Sequence, residues 1–326
     1  MPQVLLAGIL QLSHRLTVTM THTAVRLLAP SGYPHDRAAM ARGVTRLREA
    51  GCEVSGLDVL DRVELRYAGS DAQRAADINA LASMDSLPDI ALAVRGGYGA
   101  TRLLPHLHYE ALRERLTGSD IVLVGHSDFT AIQMALHAKC GLVTFGGPML
   151  GPDFGAEVAS EFTLQHFWNT MRAPQSSAAW STSDQVDIDV EGPLWGGNLA
   201  MLCSLIGTPY FSAIDGGILF VEDVTEPPFR IERLLYQLHL SGVLGRQRAL
   251  LLGDFTQCKA SSYDNGYNLT QGFAQLRGVV DIPVIDGLPF GHEPKKFTLP
   301  FGAPARLRVS GGKAQLDFSG YPHLKR

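Results

Sequence analysis

Cysteine is scarce in this sequence. The four residues of that type, Cys52, Cys140, Cys203 and Cys258, stand far apart and form no Cys-x-x-Cys pair. That spacing argues against a disulfide framework and a structural zinc, and suits thiols kept reduced in a cytosol. An excess of one charge is also lacking: 28 Lys and Arg face 32 Asp and Glu, a formal net charge of −4, and no basic block stands out. Nucleic-acid backbones and anionic membranes are therefore poor partners, and a small, roughly neutral ligand is expected. No apolar run is long enough to span a bilayer. The run Val4 to Leu10 has no basic residues before it and no small-residue cleavage site after it, so it reads poorly as a signal peptide. Residues 1–19 share no pattern with the rest and are expected to be an extension to a chain starting at Met20.

With 326 residues, 45% of them hydrophobic and 18% charged, the chain can bury a large core and is more naturally two domains than one. From Ala24 to about Gly151, short apolar runs alternate with amphipathic stretches: Val25 to Ala29 precedes Asp36 to Ala50, Asp89 to Val94 precedes Gly99 to Leu116, and Ile121 to Val124 precedes Phe129 to Lys139. This βαβ spacing predicts a parallel sheet covered by helices, with ligands at the carboxyl ends of its strands. Arg172 to Asp184, rich in Ser, Thr, Ala and Pro, reads as a linker. It divides an α/β domain, residues 20–175, from a β-rich domain, residues 176–326. In the second half, strand-like runs (Val186 to Val190, Gly217 to Val221, Ala249 to Leu252, Ala305 to Val309, Ala314 to Phe318) outnumber the two expected helices, Asn198 to Ile206 and Pro228 to Ser241.

The strongest chemical signal is Gly125-His126-Ser127-Asp128, where an apolar strand runs straight into a helix. A serine on so sharp a turn is a nucleophile candidate, with the next backbone N–H facing a developing oxyanion. The fifth position is Phe129 where a complete Gly-x-Ser-x-Gly elbow has glycine, and a mere helix cap at Ser127 or Asp128 is the competing explanation. Arg95-Gly96-Gly97-Tyr98-Gly99 ends another apolar strand. It should open onto the same sheet edge, so the N–H groups of Gly97 and Asp128 form a candidate oxyanion hole. A phosphate loop or a plain tight turn are the alternatives, although the Gly-Lys-Ser/Thr of a P-loop is missing.

A serine needs a base. Of eleven histidines, His292 lies in an irregular loop, Gly291-His292-Glu293-Pro294, that suits a cleft. His126 is expected to point away from its neighbour Ser127, His106 and His108 to be solvated, and His137, His166 and His239 to fall on helices and line surfaces or cores. Glu222, at the end of the strand Gly217 to Val221, is the candidate to orient the imidazole, because a buried acid there needs a partner. Asp223 follows it on the opposite face, and a local ion pair of Glu222 with Arg230 or Arg233 is the competing reading. A free substrate carboxylate would call for a cation; Arg95, Arg102, Arg230, Lys295 and Lys296 lie near the motifs. Asn198 is read either as a substrate contact or as a helix cap.

Taken together, Arg95 to Gly99, Gly125 to Gln133, Leu194-Trp-Gly-Gly-Asn198, Val221-Glu222-Asp223 and Phe290-Gly-His292-Glu-Pro resemble the LD-carboxypeptidase family from about Ala24 to the C-terminus. The resemblance implies a Ser127–His292–Glu222 triad, a flavodoxin-like parallel-sheet N-terminal domain and a smaller swivelling β-rich C-terminal domain. It further implies a cytoplasmic homodimer that needs no metal or cofactor and cuts murein tetrapeptide before its terminal D-alanine in peptidoglycan recycling. A self-immunity peptidase acting on a nucleotide conjugate, an α/β-hydrolase esterase and a non-catalytic muropeptide binder are the alternatives.

Overall fold

The computed structural model describes residues 23–325, so the extension expected at residues 1–19 lies outside them. In chain order the first half holds β1 (Thr23–Leu28), α1 (Arg37–Glu49), β2 (Cys52–Ser55), α2 (Asp71–Asn79), β3 (Ile90–Ala93), α3 (Tyr109–Leu116), β4 (Val122–Gly125), α4 (Thr130–Cys140), β5 (Thr144–Gly146) and α5 (Glu161–Met171). The second holds β6 (Gln175–Ser181), β7 (Ile188–Asn198), α6 (Leu199–Leu205), β8 (Ile218–Val224), α7 (Pro228–Leu240), β9 (Ala249–Thr256), α8 (Leu269–Arg277), β10 (Val284–Ile285), β11 (Leu299–Phe301), β12 (Ala303–Ser310) and β13 (Lys313–Ser319).

β3 and β4 are buried along their whole length, as expected of uncharged central strands covered on both faces. The first sheet runs β11-β5-β4-β3-β1-β2. Read from its other edge, the parallel strands follow the flavodoxin-like order 2-1-3-4-5, with the topological switch between β1 and β3. β11, supplied from far down the chain, adds an antiparallel edge by pairing Leu299 with Gly146. It passes directly into β12 of a second, mixed sheet ordered β10-β9-β8-β7-β12-β13-β6. The core is continuous between the sheets: one apolar cluster joins Val25 and Phe145 to Leu307 and Phe318, and another joins Leu123 and Ile132 to Trp195 and Leu219.

Two expectations are corrected. The segment read as a linker contains β6, an edge strand paired with β13. Its polar composition follows from having one face in solvent, with Ala178 and Trp180 facing the core. The second half also holds a third helix, α8. Gly272 obscures its apolar period, yet Asn268 and Gln271 form a reciprocal capping box at its start, a signal present in the sequence. The glycine sits where helix α8 packs on α7, since a Cβ there would lie 3.5 Å from Glu232 Cβ of α7 and 2.9 Å from the Tyr267 hydroxyl.

Candidate active site

Ser127 follows β4 on a tight 3-10 turn that leads into α4. Its φ is +62°, a left-handed conformation that costs a non-glycine residue energy and persists only where surroundings impose it. Gly125 permits the turn, because a Cβ there would lie 2.2 Å from the Phe129 ring. The bulky residue in the elbow's fifth position therefore packs back over the glycine of its first. No side-chain hydrogen bond caps either the 3-10 turn or α4, so the helix-cap reading of Ser127 gains no support.

The glycine-rich turn after β3 meets Ser127 as the sheet topology requires. A Cβ on Gly96 would stand 2.7 Å from Ser127 Cβ and 2.9 Å from its Oγ, and Gly97 has φ +87°. Asp128 is nearly fully buried and joins the segments: its Oδ2 accepts from Ser31 Oγ at 2.6 Å and from Ala100 N at 2.7 Å. Burial raises the pKa of this carboxyl, against the lowering effect of those hydrogen bonds and of Arg74. Its side chain thus braces the loop whose backbone N–H groups are the oxyanion candidates. Gly96→Ala is expected to push the serine aside and reduce kcat by about 100-fold or more, with circular dichroism unchanged; steady-state kinetics checks this.

Glu222 is fully buried on β8, and its Oε2 lies 2.7 Å from His292 Nδ1. Parallel pairing sets Asn198 of β7 directly beside Glu222. Asn198 Nδ2 donates to Glu222 Oε1 at 3.2 Å and to Asp223 Oδ1 at 3.0 Å, while its Oδ1 accepts from Met201 N. Asn198 is accordingly a cap and an orienter of Glu222, and both ends of its amide are engaged within the protein. Gly196 and Gly197, both with φ above +140°, bring β7 against its neighbours: a Cβ on Gly197 would meet Thr130 Oγ1 at 2.4 Å. That hydroxyl accepts from Asn198 N at 3.0 Å, clipping the second sheet to the nucleophile helix.

Four contributors were not anticipated. His126, expected only to point away from Ser127, reaches instead towards the other pair, its Nε2 lying 3.8 Å from Glu222 Oε2 and its ring centroid 4.8 Å from that of His292. Burial, then Lys296 and His292, hold its pKa well below the ordinary value, so this imidazole is neutral. Ser31 lacked any sequence signal beyond lying near a strand end, and Thr130 stood within the Gly125-to-Gln133 motif with no role expected of it. Asp254 arises from an irregularity in the pairing of β8 and β9 between Val221 and Asp223, and a Cβ on Gly291 would contact it. Burial and neighbouring Glu293 and Glu222 push its pKa up to about 6. Burial and Glu222 do the same to Asp223.

A raised carboxyl pKa means that the folded state binds the proton more tightly than the unfolded chain, so stability falls as pH rises from about 4 to about 6. Asp254→Asn is therefore expected to melt higher than wild type above pH 6, with the difference vanishing near pH 4. Thermal melts across that range give the comparison.

The candidate cations separate by partner. Arg102 pairs with Asp71, Arg230 with Glu226 at 3.0 Å and the buried Lys296 with Asp153 at 2.8 Å, while Lys295 is exposed. The competing ion pair of Glu222 with Arg230 is thus not formed. Half-buried Arg95 bonds the Tyr33 carbonyl and the His35 ring and, among the described residues, no carboxylate. One of its terminal nitrogens would lie 3.4 Å from a Cβ on Gly97. A cavity of about 150 Å³ opens beside His292, bounded by Asp153, Thr163, Pro294 and Lys296.

With Nδ1 held by Glu222, His292 Nε2 is the nitrogen left to take a proton from Ser127. Among the described residues no hydrogen bond joins Ser127 to His292, and such contacts commonly tighten only when substrate binds. The one group of three donors spaced for a metal among the described residues is His126, Glu222 and His292. His106 and His108 are exposed, and all four cysteines are buried and free.

Residues 25–147 match the LD-carboxypeptidase N-terminal domain, and residues 191–307 the LD-carboxypeptidase C-terminal domain. A murein tetrapeptide carboxypeptidase of Pseudomonas aeruginosa is 33% identical over 300 residues, 87% of this chain and 92% of its own. The microcin C7 self-immunity protein of Escherichia coli is 29% identical, over 80% of this chain and 83% of its own. A crystal structure of muramoyltetrapeptide carboxypeptidase from Oxalobacter formigenes superposes with a TM-score of 0.85 at 45% identity, covering 92% of this chain and 100% of that one. The chain belongs to the LD-carboxypeptidase family and is a serine-type peptidase.

Proposed function

We propose that this peptidase releases the terminal D-alanine of murein tetrapeptide, cutting after the L-centre of meso-diaminopimelate, in cytoplasmic recycling of peptidoglycan. The observation that carries the mechanism is the 2.7 Å contact between His292 and the buried Glu222 in a site that also holds the strained Ser127 turn. The murein-related names of the relatives support the substrate.

In this mechanism Ser127 Oγ attacks the peptide carbonyl as its proton passes to His292 Nε2. The N–H groups of Gly97 and Asp128 receive the oxyanion, and Glu222 stabilises the imidazolium. His292 then protonates the departing amine of D-alanine, and a water activated by the same imidazole hydrolyses the acyl-enzyme. Arg95 is proposed to read the terminal carboxylate, since the other two candidate arginines, Arg102 and Arg230, are already paired with acids. Arg95→Gln should raise KM for tetrapeptide about 10-fold or more with a smaller change in kcat.

Incubating the protein with murein tetrapeptide and quantifying D-alanine tests the substrate. Release of aspartate from aspartyl sulfamoyl adenosine without release of D-alanine from tetrapeptide would move the assignment to the nucleotide-conjugate branch. Absence of both would favour a muropeptide binder. The homodimer implied by the resemblance is measured by sedimentation.

A further inference from the structure

His126 presents an unresolved polar atom. Its side chain is 1% exposed, and its Nε2 is buried without a hydrogen-bond partner, an arrangement that native interiors rarely tolerate. The ring's other bond is to the Gly291 backbone. Across a 3.8 Å gap, Nε2 faces Glu222 Oε2, which also holds His292 Nδ1 at 2.7 Å. One donor atom from each of the three residues lies within 4.8 Å of the others.

We propose that His126, Glu222 and His292 form a binding site for a zinc-type divalent cation, and that the bound metal switches the peptidase off. Zinc bonds imidazole nitrogen and carboxylate oxygen at about 2.0–2.2 Å, so tetrahedral ligands stand about 3.3 Å apart. The 3.8 Å between His126 and Glu222 and the 2.7 Å between His292 and Glu222 bracket that value. A small shift of the Glu222 carboxylate towards His126, with His292, the most exposed of the three, turning away from Glu222 and towards His126, brings all three donors, now within 4.8 Å of one another, to that spacing. Two imidazoles and one carboxylate suit zinc or copper far better than magnesium or calcium. The surroundings favour a cation: Asp223 and Asp254 flank Glu222 electrostatically, whereas the nearby Lys296 is neutralised by Asp153. Entry is past His292, whose side chain is 22% exposed.

Inhibition follows from where the ring proton goes. In the resting site neutral His292 carries its proton on Nδ1, bonded to Glu222, and keeps a lone pair on Nε2. A metal on Nδ1 replaces the proton there and bonds the in-plane lone pair it leaves, and the displaced proton passes through solvent to the lone pair of Nε2. The ring then has no lone pair for the Ser127 proton, and Glu222 is turned from imidazole to metal. No redox change and no co-reactant are involved.

The inhibitory consequence rests on the serine mechanism proposed above, but the binding does not, so the two are measured apart. Chelator-stripped Ser127→Ala protein, which retains all three donors, is titrated with zinc against a chromophoric chelator. One equivalent bound with micromolar or tighter affinity is expected, in wild type as well. The affinity should weaken at least 10-fold in His126→Gln and in the more exposed His292→Gln, each verified as folded by circular dichroism. In wild type, D-alanine release should fall over the same zinc range and return with EDTA, while millimolar magnesium has no effect. Failure to bind one equivalent, or binding unchanged in whichever of the two histidine variants folds, overturns the site. Binding without loss of D-alanine release overturns the switch.

Discussion

Ser127→Ala is expected to abolish the proposed D-alanine release, with kcat lower by about 10⁴- to 10⁶-fold, the range expected when a triad nucleophile is removed and only binding and the oxyanion site remain. Alanine isolates the hydroxyl cleanly. Both residues carry a Cβ at a φ of +62°, so the backbone strain is retained. No side-chain bond to the turn or to α4 is lost, and thermal unfolding should coincide with that of wild type. Retention of more than a few per cent of the activity in a D-alanine release assay would exclude the serine mechanism. Because the Ser127 turn touches Gly96, comparison with Gly96→Ala separates loss of the nucleophile from its displacement.

Glu222→Gln has the second-largest expected effect, about 10³- to 10⁴-fold in kcat, although glutamine matches the side chain in shape. The hydrogen bonds dictate how the new amide sits. Asn198 Oδ1 is committed to Met201 N, which leaves Asn198 Nδ2 donating to Oε1 of residue 222. The glutamine oxygen must occupy that position, and its NH₂ then takes the place of Oε2 opposite His292 Nδ1. Two donors cannot face each other, so His292 moves its proton to Nε2 and offers Ser127 a donor in place of a base. Loss of the matched tautomer is damaging even when geometry survives. Burst and steady-state kinetics on tetrapeptide measure the loss. The melting temperature should change little in comparison with Glu222→Ala, which leaves a cavity and an unpaired Asn198 amide in a site with no exposure. A glutamine variant with near-normal kcat would remove Glu222 from the mechanism.

Local chemistry made much of this legible. The strands that build the parallel sheet are short, uncharged and separated by helical periods, and Ser127 stands out because a strand runs into a helix with no room for a loop. Glu222 and His292 were marked by residue type and setting: an acid ending an apolar strand, and a histidine in an irregular loop. Less legible was β6, since an edge strand with one solvated face shares its composition with a linker. His126 was judged on its direction relative to Ser127. That judgement was locally sound, but what the ring meets on its far side is set by Phe290 and His292, more than 160 residues away in the chain.

The sequence by itself determined that the first half builds a parallel sheet, the identity of a nucleophile candidate and the residue types able to serve it, because periodicity, turn chemistry and pKa class are properties of short stretches. Tertiary structure alone decided their mutual placement. Register between β7 and β8 put Asn198 beside Glu222, the crossing of β11 brought the two sheets onto one core, and the 2.7 Å contact of His292 with Glu222 depends on both. Such contacts join residues far apart in sequence, and the packing that selects them is a sum over the whole fold that no single segment carries.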